Sequence, residues 1–205
     1  MRFFMISDAF STLNLATADL STLRSYLLGL LVDHAYQEGN FTLSSGQPSS
    51  YYINGKQVTL SAPGALAIGR LFLSMLPQDT QAVAGLTLGA DPLVTAVSLV
   101  SALENRPISA LIIRKEAKGH GTQAYIEGPT LDKGAKVVVL EDVVTTGKSA
   151  MLAVERLRAV GYQVNHILAL VDRQQGGKGL YESEGLDFQS LFLIEDIKKI
   201  YQNRK

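Results

Sequence analysis

The sequence predicts an α/β protein with a mostly parallel sheet flanked by helices and a small N-terminal hairpin unit. Three observations carry this. Apolar, β-branched stretches alternate with helical patterns between Ala82 and Val171, the mark of βαβ units. One stretch, Val137-Val138-Val139-Leu140, is apolar at every position, as in a strand buried on both faces. Ahead of the alternation, two short strand patterns surround a turn at Gly46-Gln47-Pro48 and stand outside the series. At 205 residues one domain suffices. Residues 1–60 would form an arm, a helix and the hairpin, and 61–205 the α/β core.

In chain order, residues 1–18 read as a loosely ordered arm. Leu23, Tyr26, Leu27, Leu30, Leu31 and Ala35 lie near helical spacing and predict a helix from Leu20 to Tyr36, with Gly39 suiting its end. Phe41 to Gly46 and Ser50 to Asn54 predict the hairpin strands. Pro63 can open a helix running to about Met75. Strands follow at 82–86, after Pro107 through Ile113, at 137–140 and at 164–171. Helices are expected from Pro92 to about Leu103 and from Lys148 to Val160, and Arg114 to Thr130 reads as a polar stretch.

Composition narrows the function. Lysine plus arginine equals aspartate plus glutamate at 19 each, so bulk charge gives no reason to expect nucleic acid or a membrane surface. Cysteine is absent, which excludes disulfides and thiolate zinc sites. The three histidines, at 34, 120 and 166, are too scattered for a metal cage. No apolar run reaches the roughly 18 residues of a membrane span. The N-terminal stretch carries Asp8 and Asp19 and makes a poor signal peptide, so cytoplasmic residence is expected.

The chemistry concentrates at the end of the 137–140 strand. Glu141 and Asp142 follow it, then Val143, Val144, Thr145, Thr146, Gly147, Lys148 and Ser149 lead into a helical pattern. A strand, a tight loop and a helix N-terminus make an anion site, because free N–H groups and the helix dipole point at the ligand. Gly147-Lys148-Ser149 matches the end of a P-loop, but the earlier glycine that motif needs falls on Asp142. Ionised carboxylates only accept hydrogen bonds, so an acidic pair beside a phosphate site suits a diol, as in a ribose 5-phosphate. The plainer reading is a buried strand whose acids solvate its end.

This stretch resembles the diphosphoribosyl-binding motif of type I phosphoribosyltransferases. The resemblance implies that Glu141 and Asp142 hold the ribose hydroxyls of phosphoribosyl diphosphate (PRPP) with Mg²⁺ nearby, while Thr145 to Ser149 cradle its 5-phosphate and Val143 and Val144 also belong to the PRPP site. Arg114-Lys115-Glu116-Ala117-Lys118-Gly119-His120-Gly121 would by itself be a solvated surface loop. It is similar, however, to the cationic lid of orotate phosphoribosyltransferases, Arg-Lys-x-x-Lys-x-His-Gly. Asp172-Arg173 could be a local ion pair, but arginine also grips a planar carboxylate. In that family the matching arginine meets the orotate carboxylate, and its orotate-binding threonine falls on Thr145. Phe41 to Gly46 with Ser50 to Asn54 resembles the family's N-terminal hood.

The resemblance covers about Leu23 to Arg173. It implies the type I phosphoribosyltransferase fold and transfer of ribose 5-phosphate from PRPP to orotate in pyrimidine (UMP) biosynthesis. Lys115, Lys118, His120 and Asp142 would be the catalytic residues, with Arg114 also on PRPP and Mg²⁺ as cofactor. It further implies a homodimer with a shared active site, Lys115 crossing to the neighbour. Two departures stand out. Many members have lysine where Ser44 stands, and lysine in the loop that here reads Thr87-Leu88-Gly89-Ala90-Asp91. The alternatives are a phosphoribosyltransferase for another base, against which Arg173 argues, and a nucleotide-sensing regulator, which would not need the lid.

Overall fold

The computed structural model describes residues 13–42, 48–117 and 125–205. Residues 1–12 of the expected arm, most of the expected turn at 46–48, Ser44, Lys118 and His120 lie outside them.

A six-stranded sheet forms the centre. Its strands are β3 (Ala82–Leu86), β4 (Ser109–Ile113), β5 (Ile126–Glu127), β6 (Lys136–Val144), β7 (Gln163–Asp172) and β8 (Asp187–Leu193), in the spatial order β5-β4-β3-β6-β7-β8. All neighbours are parallel except β5, which pairs antiparallel with the edge of β4. The expected α/β class and parallel sheet are therefore present. Strand β5 falls inside the stretch read as merely polar.

The central strand shows why the apolar run matters. Val138 and Leu140 face one core, with α1 (Leu20–Leu30), α3 (Ala62–Met75), α4 (Asp91–Leu103) and α7 (Ile194–Asn203). Val137 and Val139 face the other, with Ala150, Ala153, Val154 and Leu157 of α5 (Lys148–Ala159) and Tyr181 of α6 (Gly177–Ser183). Alternation along the pleat thus feeds both layers.

The N-terminal third departs from expectation in detail. The Asp19 side chain caps α1 by accepting from the Thr22 N–H at 2.8 Å. The helix then loosens into a π-helical turn at Leu31–Ala35 instead of running on to Tyr36. The hairpin starts earlier than expected: β1 spans Tyr36–Thr42 and β2 spans Pro48–Ile53, antiparallel. Gly39 ends no helix; it lies in β1, where the register shifts between Glu38 and Phe41. A short helix, α2 (Lys56–Thr59), follows the hairpin. Residues 13–18 are not loose: Leu13, Leu15 and Ala18 pack on the core, and Arg70 donates to the Leu15 and Ala18 carbonyls at 2.9 and 2.7 Å.

Because the strands run parallel, the segments after β3, β4, β6 and β7 all emerge at one edge, where ligands of such sheets bind. They are tied together there: the Thr87 N–H donates to the Ile113 carbonyl, the Arg173 N–H to Val144 and the Gly177 N–H to Thr145.

Candidate active site

Two adjoining cavities open at that edge, of about 860 and 420 Å³, and both are lined by Lys56, Glu141, Asp142 and Ser149. The larger extends along residues 143–149 to Arg173 and the hood residues Thr42, Tyr52 and Ile53. The smaller runs under Thr87, Leu88, Gly89 and Lys115.

Glu141 and Asp142 do not follow the strand as expected; β6 continues through them to Val144. The pleat therefore holds them rigidly, and each is only 8% exposed. Asp142 accepts from the Val143 N–H at 2.9 Å and lies 3.8 Å from the Lys56 Nζ. A Cβ on Gly89 would come within 2.6 Å of its Oδ1, so the loop after β3 rests directly on this carboxylate. Glu141 is less well served: its Oε2 is buried with no hydrogen-bond partner among the described residues. Burial pushes its carboxyl well above the usual carboxylate range, the Asp142 charge adds to this, and Lys115 and Lys56 oppose it.

The loop before α5 is built on Gly147, which caps the helix in the left-handed region at φ 83°. A side chain there would be strained, and its Cβ would come within 2.8 Å of the Tyr181 ring beneath. Tyr181 is fully buried and its hydroxyl has no hydrogen-bond partner among the described residues. The loop thus rests on an aromatic floor, with the N-terminus of α5 open towards the cleft.

Arg173 reaches the same cleft from β7. No ion pair joins it to Asp172, whose carboxylate accepts from the Gln174 N–H at 2.7 Å. Its Nε donates to the Tyr51 hydroxyl at 3.1 Å, and one Nη lies 3.5 Å from the Ser49 Oγ. The structure therefore brings Glu141, Asp142, residues 143–149, Lys115 and Arg173 to one edge. Arg114 is different. It pairs with Glu127 of β5 at 3.0 Å and lines neither cavity. Lys115 lines the smaller cavity of its own chain. Arg156 of α5 clamps the flanks of this segment, donating to the Lys115 carbonyl at 2.9 Å and stacking 4.0 Å over the Tyr125 ring.

Lys56, Tyr51 and Tyr181 were not foreseen. A cation straight after the hairpin strand in Ile53-Asn54-Gly55-Lys56 was the one local signal for Lys56. Tyr51 was read only as part of the hairpin, and Tyr181 lies beyond the last motif.

The state of Glu141 has a measurable consequence. Unfolded, this carboxyl ionises near its ordinary value; folded, burial and Asp142 hold its proton to higher pH. The folded state binds more protons in that window, so this group's contribution to stability falls as pH rises through it. Glu141→Gln is expected to flatten that fall and to raise the stability of the ligand-free protein at neutral pH, by about 1–3 kcal/mol. Thermal melts across pH check this; an unchanged profile would mean that Glu141 is not held protonated.

No family model matches the chain. Curated relatives do. Orotate phosphoribosyltransferase of Nostoc sp. is 73% identical over 187 residues, 91% of this chain and 91% of that one. Among solved structures, orotate phosphoribosyltransferase of Mycobacterium tuberculosis in complex with Fe(III) dicitrate superposes with a TM-score of 0.77 at 39% identity, covering 85% of this chain and 98% of that one. The same enzyme in complex with PRPP gives a TM-score of 0.72 at 34% identity over 86% and 99%. Sequence identity across nine-tenths of the length, together with the shared fold, shows that the chain belongs to the orotate phosphoribosyltransferase family.

Proposed function

We propose that the two cavities divide PRPP and orotate between them in the transfer that joins orotate N1 to C1 of PRPP, giving orotidine 5-monophosphate and diphosphate. The observation that carries this is that one cavity is lined together by an open helix N-terminus, the acidic pair and an arginine beside the hood. That set fits a phosphate, a diol and a carboxylate. Thr145 to Ser149, with Val143 and Val144 behind them, take the 5-phosphate. Glu141 and Asp142 accept from the ribose hydroxyls, and a hydroxyl donor gives the orphaned Glu141 oxygen its missing partner. The diphosphate then lies in the smaller cavity under Gly89, against Lys115 and Lys56.

Lys56 answers the two departures in the sequence. It places a cation where both cavities meet, in a chain that lacks lysine at Ser44 and in the 87–91 loop. Lys118 and His120 join Lys115 as diphosphate partners in this proposal, on the strength of the lid motif. Arg114, whose half-exposed guanidinium also pairs with Glu127, is placed on PRPP with them by the same motif. The chemistry needs no protein nucleophile. Diphosphate leaves as positive charge develops on the ribose, and the chain's part is to position both partners, exclude water and stabilise the leaving charge.

Mg²⁺ fits the donor set. Among the described residues no cluster of three or more acids or histidines could cage a metal. Mg²⁺ commonly binds through substrate phosphates, waters and one or two carboxylates, and the acidic pair supplies those. When bound with PRPP it would neutralise diphosphate charge beside Glu141 and Asp142. Cytoplasmic residence is part of the proposal and follows from the biosynthetic role.

A homodimer with a shared site is also proposed. Leu99 and Leu103 on the outer face of α4, and Leu88 in the loop before it, are 64%, 71% and 70% exposed in the single chain. Apolar residues spaced in this way suit a second copy, and Leu88 borders the smaller cavity. Leu99→Asp is expected to give monomers in sedimentation, with activity lowered at least about tenfold. A fully active monomer would show that each chain completes its own site.

The orotate end has its own test. Arg173→Lys keeps the charge and loses the two-pronged fork, so the orotate KM should rise several-fold more than the PRPP KM in steady-state assays. Equal rises would mean that Arg173 does not read the carboxylate.

A further inference from the structure

We propose that Tyr51 is the positioning residue that makes Arg173 selective for a carboxylate. This rests on Arg173 receiving the orotate carboxylate. Tyr51 does not line the cavity, and the Arg173 guanidinium lies over its ring, 4.7 Å from the centroid. Its side chain is buried, its ring stacks on Tyr36 at 5.8 Å, and the Lys198 Nζ lies 4.7 Å from the ring centroid. Such a ring has little freedom, so its hydroxyl is a fixed acceptor.

A guanidinium carries five N–H bonds. The Nε–H is taken by the Tyr51 hydroxyl at 3.1 Å, and the Ser49 Oγ lies 3.5 Å from Nη2. Ser49 can accept there because its own proton goes to the Tyr51 carbonyl at 2.7 Å. With that edge occupied, the outer edge formed by the two Nη groups is what remains for the cavity. That edge presents two parallel N–H bonds, the geometry that fits a carboxylate. An arginine free to rotate could instead offer Nε, or swing to another acceptor, and would discriminate less. The contact also joins β2 of the hood to the end of β7, so the element covering the base sets the group that reads it. A plainer role for Tyr51 is hood packing, which would disturb both substrates alike.

The test compares wild type, Tyr51→Phe, Arg173→Lys and the double variant in steady-state kinetics. Tyr51→Phe removes only the hydroxyl. It is expected to raise the orotate KM about tenfold while the PRPP KM stays within about twofold. In the Arg173→Lys background, which lacks Nε, it should add less than about twofold, because coupled residues are not additive. An unchanged orotate KM, equal rises for both substrates, or effects that multiply in the double variant would each overturn the proposal. If Arg173→Lys alone leaves the orotate KM unchanged, the carboxylate reading itself fails; if only Tyr51→Phe is silent, the positioning role alone fails. Should Tyr51→Phe melt early, Ser49→Ala must show a smaller rise confined to orotate, and its absence would overturn the proposal.

Discussion

The structure depends on a costly arrangement: two adjacent carboxylates held within a rigid central strand, both nearly buried, with one lysine 3.8 Å from one of them. Buried charge is unfavourable unless paired or hydrogen-bonded. Here the fold leaves an acceptor of Glu141 without a partner and keeps its carboxyl above the ordinary range. Strain of this kind persists where a ligand completes the set. The surrounding backbone is shaped to keep the pair in place, with Gly89 resting on Asp142 and Gly55 close by.

Around this pair the cleft combines opposite charge preferences. The N-terminus of α5 favours an anion, the acids favour hydroxyl donors, and Arg173 favours an anion again. Each feature comes from a different part of the fold, yet parallel strands deliver them to one edge. Lys56 and the hood close the arrangement from the N-terminal side. Positioning of this sort is what a reaction without a protein nucleophile requires.

Much of this was legible in the sequence because it is local. Four apolar residues predicted the central strand, and Thr145 to Ser149 predicted the tight loop into α5. Gly147 makes the reason explicit, since its left-handed conformation and the ring of Tyr181 admit no side chain. The acids misled about the strand's end: polar residues usually mark where burial stops, but these face a cavity, so the pleat continues to Val144. At the other end, apolar spacing from Leu23 to Ala35 could not separate a regular helix from one that loosens after Leu30. What sequence could not supply was pairing across distance. Tyr51 meets Arg173 across 122 positions, and Arg114 is drawn to Glu127 by the antiparallel edge strand β5.

The central claim is that the cleft takes a ligand pair with a phosphate at one end, a diol between and a carboxylate at the other. Base-dependent turnover tests it most directly, with PRPP and Mg²⁺ supplied and orotate, uracil, hypoxanthine and adenine offered in turn. The account predicts that orotate absorbance falls with matching formation of orotidine 5-monophosphate, while the three bases lacking a carboxylate are left unconsumed. Turnover of uracil or a purine at a rate comparable to orotate would contradict it.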